Sequence, residues 1–405
     1  MNILIFGANW NNHGDESAIR AMIDEMRISI PDAKIKIQFN QDVNVFPYND
    51  IEIIKGFYRA GKRNPITKLL YRIAVKSGGK LCFYKGKERL VEFTEAVKWA
   101  DYAIYAPGGP SIGDYYQCYY LVDMMEVMYK NETPFSLFAP SIGPFSINRY
   151  QIANILKRAN LIIFREEISK KYFDLLKTGH DSVVTLDAAF QSSVDQGYYQ
   201  KLLEQDTELV KFLGKYKKII GITITDLLWH RTFKDGAIAD RVKDCFTKFI
   251  TYLKKEGYGV VFIPQLFANE NDSKYMRDFC QDNCFVINQD YDCYFQQYLI
   301  SKLYAVVGMR YHSNIFSAKM GTPFVSVAYE QKMKGFMEKA GLSDLCIDIS
   351  ELSYEALIDK MNWINSNYSS YKTSLNESKN KFKVMAHVTT ELISNDIVNH
   401  IKKVL

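Results

Sequence analysis

The chain of 405 residues lacks the features that define several classes of protein. It has no uncharged apolar run near the roughly 18 residues of a membrane-spanning helix, so we predict no transmembrane segment. Its first residues, MNILIFGANW, have neither a basic region nor a long apolar core, so we expect no secretory signal peptide and a cytoplasmic location. The seven cysteines are odd in number and scattered, which is typical of reduced thiols and gives no metal-binding pattern. A net charge of +5 is too small to indicate a nucleic-acid partner.

Acidic residues are nearly absent from one stretch, 55–90, which has eleven Lys or Arg residues and only Glu88 as an acid. Within this stretch, apolar residues follow helical spacing with three cations between them, Lys68, Arg72 and Lys76. A basic amphipathic helix can lie on an anionic membrane surface. It can equally be a solvated helix that packs on its own domain. Both interpretations stay open, and the first predicts a peripheral contact with the inner face of the membrane.

Apolar runs alternate with helical periods in two successive sets, which is typical of parallel sheets covered by helices on both faces. Strands are predicted at 2–6, 34–39, 102–106, 135–139, 161–164 and 183–186, and then at 219–225, 259–264, 284–287, 304–307 and 323–328. The intervening helices include 16–29, 116–130, 166–176, 240–256, 271–282 and 294–302. We therefore expect an α/β fold of two doubly wound, Rossmann-like domains that face a cleft. The expected domains are 1–200 and 201–375, with a C-terminal helix at 376–405 that crosses back to the first domain.

Ligands of open parallel sheets bind beyond the carboxyl ends of the strands, so the residues that follow each apolar run are the candidate site. Three glycine-bearing turns follow strands of the first domain, and none matches G-x-G-x-x-G, so no dinucleotide site is indicated. Together these turns predict a ligand-lined cleft. Their candidate substrate-binding residues are Asn12, Asp15, Gly108, Gly109 and Ser141.

Arg165 directly follows the predicted strand 161–164. A guanidinium at a strand end suits a phosphate or a carboxylate. A structural ion pair with Glu166 or Glu167 is the alternative.

The densest segment, 306–332, reads as a compact β-α-β unit. Arg310 and His312 leave its first strand, and Glu330 and Lys332 leave its second. Because the crossover makes the two strands parallel, both pairs emerge at one edge of the sheet. A cation, an imidazole and a helix N-terminus there suit group transfer from a phosphorylated donor; a buried, merely hydrogen-bonded His312 is the alternative. Further candidate substrate-binding residues are Ser313 and Asn314 at the helix start, and Trp229 and His230 after the strand 219–225.

With these residues the chain resembles the polysaccharide pyruvyl transferase family. The resemblance extends through Asn12-Gly14-Asp15-Glu16, Gly108-Gly109, Ser141-Ile142-Gly143-Pro144, Arg165 with Ser169, and Asp187-Ala188-Ala189-Phe190. Its most specific part is Arg310-x-His312 followed by Gly321-Thr322-Pro323, Tyr329 and Lys332. One departure is His13, where relatives often carry Lys, and we assign it no role. The stretch 55–90 matches nothing in the family pattern and is interpreted as an acceptor-specific insertion.

The resemblance implies a protein of the glycosyltransferase-B type, with the acceptor on the first domain and the donor on the second. It implies transfer of pyruvate from phosphoenolpyruvate, a co-substrate, to a sugar diol of a cell-surface polysaccharide, forming a cyclic ketal without cofactor or metal. Arg165 and Arg310 would bind the donor's two anionic groups, and His312 is the candidate acid/base because its ordinary pKa of about 6.5 lets it act in both directions. Lys332 would assist departure of phosphate, and Glu330 would orient Lys332 or hold an acceptor hydroxyl. A lipid-linked sugar acceptor is the preferred interpretation of 55–90.

Two other functions stay open. A nucleotide-sugar-dependent glycosyltransferase would use Glu330 and Glu338, which have E-x7-E spacing, although Glu338 falls inside a helical period. The D-x-D at 290–292 precedes a helix and more simply supplies its cap. A catalytically silent carbohydrate-binding subunit is the third, and it leaves the strand-end cations without a purpose.

Overall fold

The computed structural model describes residues 1–56, 64–267 and 272–404, so part of the basic stretch, 57–63, and the start of the predicted helix 271–282 lie outside the described residues. The chain divides into two compact units. The first contains Met1–Trp10, Ala18–Ala188 and Met385–Leu405, and the second contains Asn11–Ser17 and Ala189–Val384. The main boundary therefore falls after Ala188, where the sequence predicts 200, and the expected tail 376–405 is shared between the units.

The first unit is built on a parallel sheet of five strands in the order β3-β2-β1-β4-β5. These are β1 (Asn2–Ala8), β2 (Lys34–Phe39), β3 (Glu52–Ile54), β4 (Tyr102–Tyr105) and β5 (Phe135–Leu137). The predicted strands 161–164 and 183–186 form a separate parallel pair, β6 (Ile163–Phe164) and β7 (Val183–Val184). The helices of this part of the chain are α1 (His13–Ser29), α2 (Pro65–Lys76), α3 (Glu88–Trp99), α4 (Tyr120–Lys130), α5 (Arg149–Leu156) and α6 (Glu167–Asp174).

The second unit repeats the plan with a parallel sheet of six strands in the order β10-β9-β8-β11-β12-β13. These are β8 (Ile219–Thr223), β9 (Gly259–Phe262), β10 (Cys284–Val286), β11 (Ala305–Gly308), β12 (Phe324–Ala328) and β13 (Cys346–Asp348). Its helices are α7 (Gln196–Gln205), α8 (Thr207–Lys215), α9 (Ala237–Lys255), α10 (Ser273–Arg277), α11 (Cys293–Ile300), α12 (Tyr311–Met320) and α13 (Gln331–Lys339). The long helix α14 (Tyr354–Val404) follows, with a break at Asn367.

The apolar runs become strands because both of their faces are covered. Every residue of β4, β8, β9, β11 and β12 is buried, as expected for parallel strands between helix layers. The strand order in each unit reverses beside the first strand of that unit, which is the topological switch of doubly wound folds. The expected fold class, two Rossmann-like α/β units with a C-terminal helix, is confirmed.

Two predicted helices are shorter than expected. The helix predicted at 116–130 begins only at Tyr120, because the preceding residues form a loop in which Gln117 has φ 55° and the Cys118 amide bonds the carbonyl of Ser111 at 2.9 Å. Of the helix predicted at 271–282, α10 covers only Ser273–Arg277. Among the described helices, none is long and apolar enough to cross a membrane.

Candidate active site

In the second unit, polar side chains gather where β11 and β12 end. Gly308 of β11 pairs with Ser326 of β12, so α12 and α13, which follow these strands, begin side by side at the same sheet edge. Their first residues are preceded by the N-cap residues Arg310 and Glu330, neither of which caps its helix with its own side chain. The positive end of each helix dipole is therefore directed at this edge.

Arg310 is held by a carboxylate that the sequence did not reveal. Its guanidinium makes a two-pronged contact with Asp272, with Nε 3.2 Å from Oδ2 and Nη2 bonded to Oδ1. Asp272 also accepts the backbone amides of Gln265 and Leu266 at 3.0 and 3.1 Å. Both members of the pair are buried. Asp272 lies in the loop after β9, far enough beyond the strand that the strand-end rule did not select it.

Tyr329 completes the surroundings of Arg310. Burial alone would lower the pKa of Arg310, but the negative charge of Asp272 and a hydrogen bond to Tyr329 outweigh it, so the pKa is raised. Burial, with the charge of Glu330, raises the pKa of Tyr329 as well. The guanidinium also lies 5.5 Å from the ring centre of Trp229. Arg310 is thus a permanent cation with a fixed position.

Glu330 joins two predicted site residues, Lys332 and His230. Its carboxylate lies 2.5 Å from Lys332 Nζ and 3.4 Å from His230 Nε2. The other ring nitrogen of His230, Nδ1, accepts the amide of Thr232 at 3.2 Å, so a neutral ring carries its proton on Nε2, directed at Glu330. Glu330 therefore contacts both groups, and its expected role in orienting Lys332 stays a prediction.

Trp229 is the exposed member of the cluster. Its ring is 41% exposed, its indole N–H donates to Thr225 Oγ1 at 3.1 Å, and it meets the edge of Tyr329 at 6.1 Å. A partly exposed, fixed indole beside charged groups is the arrangement that stacks on a sugar face or another flat ligand.

His312 lies one residue into α12, and its ring packs against Gly14. A Cβ on Gly14 would overlap the imidazole, so glycine at this position leaves room for the ring. Both residues belong to the second unit, because the segment Asn11–Ser17 packs there. In the sequence Gly14 is only part of a turn, and its contact with His312 could not be predicted from residue spacing.

His13 is buried and bonded on both ring nitrogens. Nδ1 lies 2.8 Å from Glu16 Oε2, and Nε2 lies 2.7 Å from the carbonyl oxygen of Gln289. Both partners are hydrogen-bond acceptors, so an imidazolium facing the Glu16 carboxylate satisfies both bonds. Glu16 also accepts the amide of Cys293 at 3.1 Å. His13, to which the sequence assigned no role, fastens the start of α1 and with it Gly14.

The remaining predicted site residues of the second unit lie at the starts of α12 and α1. Ser313 donates to the carbonyl of Arg310 at 2.7 Å and pairs with Thr223, and Asn314 donates to Ser326 Oγ at 2.9 Å. Both are fully buried and hold α12 on the sheet, and their contact with substrate stays a prediction. Asn12 accepts the amide of Gly14 at 2.8 Å at the start of α1, and Asp15 lies partly exposed in the first turn of that helix.

Arg165 lies in the first unit, within a buried polar network. Its Nη1 is 2.6 Å from Asp187 Oδ2, and its Nε donates to Ser141 Oγ at 2.9 Å. Ser141 donates in turn to Glu166 at 3.0 Å, and Ser169, bonded to Glu166, accepts the amide of Ile142 at 2.9 Å. Arg165 is 1% exposed. These contacts are those of a buried structural network, and a donor would have to uncover the guanidinium and separate it from Asp187 to bind it. The expected contact with an anionic donor stays a prediction. The expected ion pair with Glu166 exists at 3.7 Å, but Asp187 is the closer partner.

The network fixes the glycine-bearing turns that follow β4 and β5. The amide of Ser141 bonds the carbonyl of Gly108 at 3.0 Å, and the amide of Gly143 bonds that of Ile112 at 2.8 Å. Gly143 has φ +79°, and a Cβ there would overlap the ring of Tyr172, so this turn requires glycine. Gly108 and Gly109 sit on a turn that is therefore held rigid. Asp187, Ser141 and Ser169, three of the residues on which the family resemblance rests, meet in this network.

Among the described residues, no group of three His, Cys, Asp or Glu side chains could hold a metal ion.

The fold defines the class of protein first. The chain matches a putative UDP-N-acetylglucosamine 2-epimerase from Listeria monocytogenes with a TM-score of 0.60 at 13% identity, over 99% of this chain and 96% of that one. It matches α,α-trehalose 6-phosphate synthase from Burkholderia multivorans with a TM-score of 0.56 at 10% identity, over 100% and 99% of the two chains. At these identities the likeness shows the fold alone, and that fold is the glycosyltransferase-B type.

The family follows from the sequence model of polysaccharide pyruvyl transferases, which matches residues 12–331. The chain belongs to this family. It is also 23% identical, over 96% of its length and 98% of the relative, to the amylovoran biosynthesis protein AmsJ of Erwinia amylovora. It is therefore a transferase of polysaccharide biosynthesis, as the resemblance implied.

Proposed function

We propose that the protein transfers the pyruvyl group of phosphoenolpyruvate to a sugar diol, forming a cyclic ketal during synthesis of a cell-surface polysaccharide. The observation that carries the proposal is the edge formed by β11 and β12. A guanidinium, an ammonium and an imidazole occur there beside two helix N-termini, in a chain of the pyruvyl transferase family.

The donor carries a carboxylate and a phosphate, so its site needs fixed cations. Arg310 and Lys332 provide them, and Asp272 and Glu330 hold them in position. These carboxylates also cancel the two positive charges. A donor therefore gains its net attraction from the N-termini of α12 and α13, whose amides and dipoles favour anions.

His312 is the proposed acid/base. Protonation of the donor's C3 methylene makes C2 electrophilic, and one sugar hydroxyl attacks C2. The second hydroxyl then attacks the same carbon as the C2–O bond to phosphate breaks. Of the two hydroxyl protons, one replaces the proton delivered to C3 and the other leaves with phosphate, so atoms and charges balance. His312 can deliver the first proton and recover it from a hydroxyl, and Lys332 can neutralise the departing phosphate.

The acceptor is proposed to meet Trp229 of the second unit, whose exposed ring suits a sugar face. In the first unit, the turns that bear Gly108, Gly109 and Ser141 leave the carboxyl edge of the sheet, where ligands of such sheets bind, so they remain candidate sugar-binding residues in their own right. We place the acceptor on a lipid carrier at the cytoplasmic face of a membrane, because the basic stretch 55–90 has no other use in this scheme. Arg165 is not proposed as a donor ligand, since it belongs to the buried network with Asp187.

The chemistry has a signature that separates it from glycosyl transfer. We would incubate the protein with phosphoenolpyruvate and a panel of nitrophenyl glycosides in D₂O. The expected product gains the mass of pyruvic acid less one water, and its new methyl group carries one deuterium from the acid that protonates C3. Turnover of a UDP-sugar with no turnover of phosphoenolpyruvate would instead establish the nucleotide-sugar glycosyltransferase.

The assigned role of His312 is tested in the same assay. The His312→Ala variant is expected to lose about 10²- to 10⁴-fold in rate, the usual contribution of a general acid or base. His387→Ala is the matched control, because His387 is about half exposed on the first unit, and its rate should not change. Undiminished phosphate release by His312→Ala would remove His312 from the mechanism.

A further inference from the structure

Helix α2 uses only one side to attach to its unit. Ala74 and Val75 are buried, and the Tyr71 hydroxyl donates to Asp123 at 2.7 Å. These residues occupy one face of the helix, so the apolar residues on its other side are not needed for packing.

The opposite side carries an apolar stripe that no described residue covers. Ile66 is 71% exposed, Leu69 59% and Ile73 40%. In the loop after the helix, Leu81 is 46% exposed and Phe83 72%. Monomeric proteins rarely leave a group of large apolar side chains in water unless the surface meets a partner. The interpretation that the apolar face packs on the domain therefore holds for Leu70 and Ala74 but not for Ile66, Leu69 and Ile73.

Cations border this stripe. The segment 64–87 contains six basic residues and no acid, and all six are exposed: Lys68, Arg72, Lys76, Lys80, Lys85 and Lys87. At 100° per residue, Arg72 and Lys76 lie directly beside Leu69 on the helix surface. The acidic groups that face this segment are Asp123, bonded to Tyr71, and Glu126, 3.1 Å from Lys76.

We propose that this surface, the exposed side of α2 with residues 81–87, docks on an anionic lipid bilayer. Apolar side chains would enter the boundary of the acyl chains while the Lys and Arg heads meet the lipid phosphates. A second copy of the chain is the less favourable occupant, because a symmetric contact would bring two sets of six cations together. The inference deepens the proposed function, since a lipid-linked acceptor is presented at such a surface, but docking can be measured without an acceptor.

The test is co-sedimentation of the full chain with vesicles. Binding is expected to vesicles of equal parts phosphatidylglycerol and phosphatidylcholine, and to be much weaker with phosphatidylcholine alone. Each cation near an anionic surface contributes about fivefold in partition, so the triple variant Lys68→Gln/Arg72→Gln/Lys76→Gln should bind on the order of a hundredfold more weakly. The triple variant Ile66→Ser/Leu69→Ser/Ile73→Ser should lose binding as well, with an unchanged thermal midpoint because these side chains are exposed.

The matched control removes the same charge elsewhere on the first unit. Lys157, Lys171 and Lys177 are exposed, and their triple Gln variant should bind vesicles like the wild type. If the control variant loses vesicle binding equally, net charge alone explains the effect and the proposal is overturned. Equal binding to both vesicle types would overturn it as well. A dimer in solution that the Ser variant abolishes would also overturn it.

The outcome is separable from that of the proposed function. The docking variants should turn over phosphoenolpyruvate with a water-soluble glycoside at the wild-type rate. Vesicle binding without turnover of phosphoenolpyruvate would support the docking surface and refute the proposed reaction. Turnover without vesicle binding would support the reaction and refute the docking surface.

Discussion

The role of Arg165 yields a prediction in which stability, more than activity, is decisive. Arg165 is 1% exposed, and its partners Asp187 and Glu166 are fully buried. Replacing Arg165 by Met removes a cation that is in contact with both of these carboxylates. Breaking a buried pair by removing one partner costs about 3–5 kcal/mol. The Arg165→Met variant should therefore unfold much more readily than the wild type.

The magnitude can be given as a temperature. The first unit comprises about 200 residues, and a domain of that size loses roughly 2–4 °C of midpoint per kcal/mol. We expect its unfolding transition to fall by about 6–20 °C. Calorimetry with hydrogen exchange of first-unit peptides would measure this change and distinguish it from the transition of the second unit. Exchange should increase most in the turn after β5, which Ser141 and Ser169 fasten.

The control is Arg158→Met. Arg158 is exposed, with its guanidinium 3.7 Å from the ring centre of Tyr129, and such contacts contribute about 0.5–1 kcal/mol at exposed sites. A second arm adds Asp187→Leu to Arg165→Met; the two losses should be clearly less than additive, since the residues share one ion pair. An unchanged midpoint together with a raised KM for phosphoenolpyruvate would refute the positioning role and restore Arg165 to the donor site.

Two further predictions concern Gly14 and the thiols. Gly14→Ala should displace the His312 ring and lower kcat by about 10²-fold, the effect of a misplacement near 1 Å. Gly214→Ala is the control, because a Cβ there has open space, and it should leave kcat unchanged. Equal steady-state rates of the two variants would contradict the contact between Gly14 and His312. At pH 8 Cys280 should be the first thiol alkylated by iodoacetamide, because a hydrogen bond lowers its pKa and it is exposed. Burial raises the pKa of Cys346 to about 11, so only about one in a thousand of its thiols is ionised at pH 8. Peptide mapping by mass spectrometry would measure the two alkylation rates, and faster alkylation of Cys346 than of Cys280 would refute this prediction.

Most of the fold could be predicted because buried parallel strands appear in the sequence as continuous apolar runs. The two strands that were not predicted, β3 and β13, are edge strands of three residues. Glu52 and Ile53 of β3 are exposed, as only one residue of that strand is buried. An edge strand of this kind has no apolar run to detect, and only its hydrogen bonds to the neighbouring strand define it.

The site could be predicted to the extent that it follows strand ends. That rule selected Arg310, His312, Glu330 and Lys332, and these residues do leave the same sheet edge. It could not select Asp272, which lies at the far end of a loop after β9. A counter-charge can come from any loop that returns to the edge, so its position depends on tertiary structure and not on spacing.

The same limit explains why Arg165 and Arg310 looked alike in the sequence and differ in the structure. Arg165 follows β6 directly, Arg310 follows β11 after one intervening residue, and both are paired with a buried carboxylate. Arg310 also touches Tyr329 and the partly exposed Trp229, so its pair lies beside a surface that a ligand can reach. Arg165 bonds to Ser141 and Asp187, which are themselves buried, and its network holds two turns in place. The partly exposed Trp229 is therefore the observation that favours a binding role for Arg310, and the buried network is the one that favours a positioning role for Arg165.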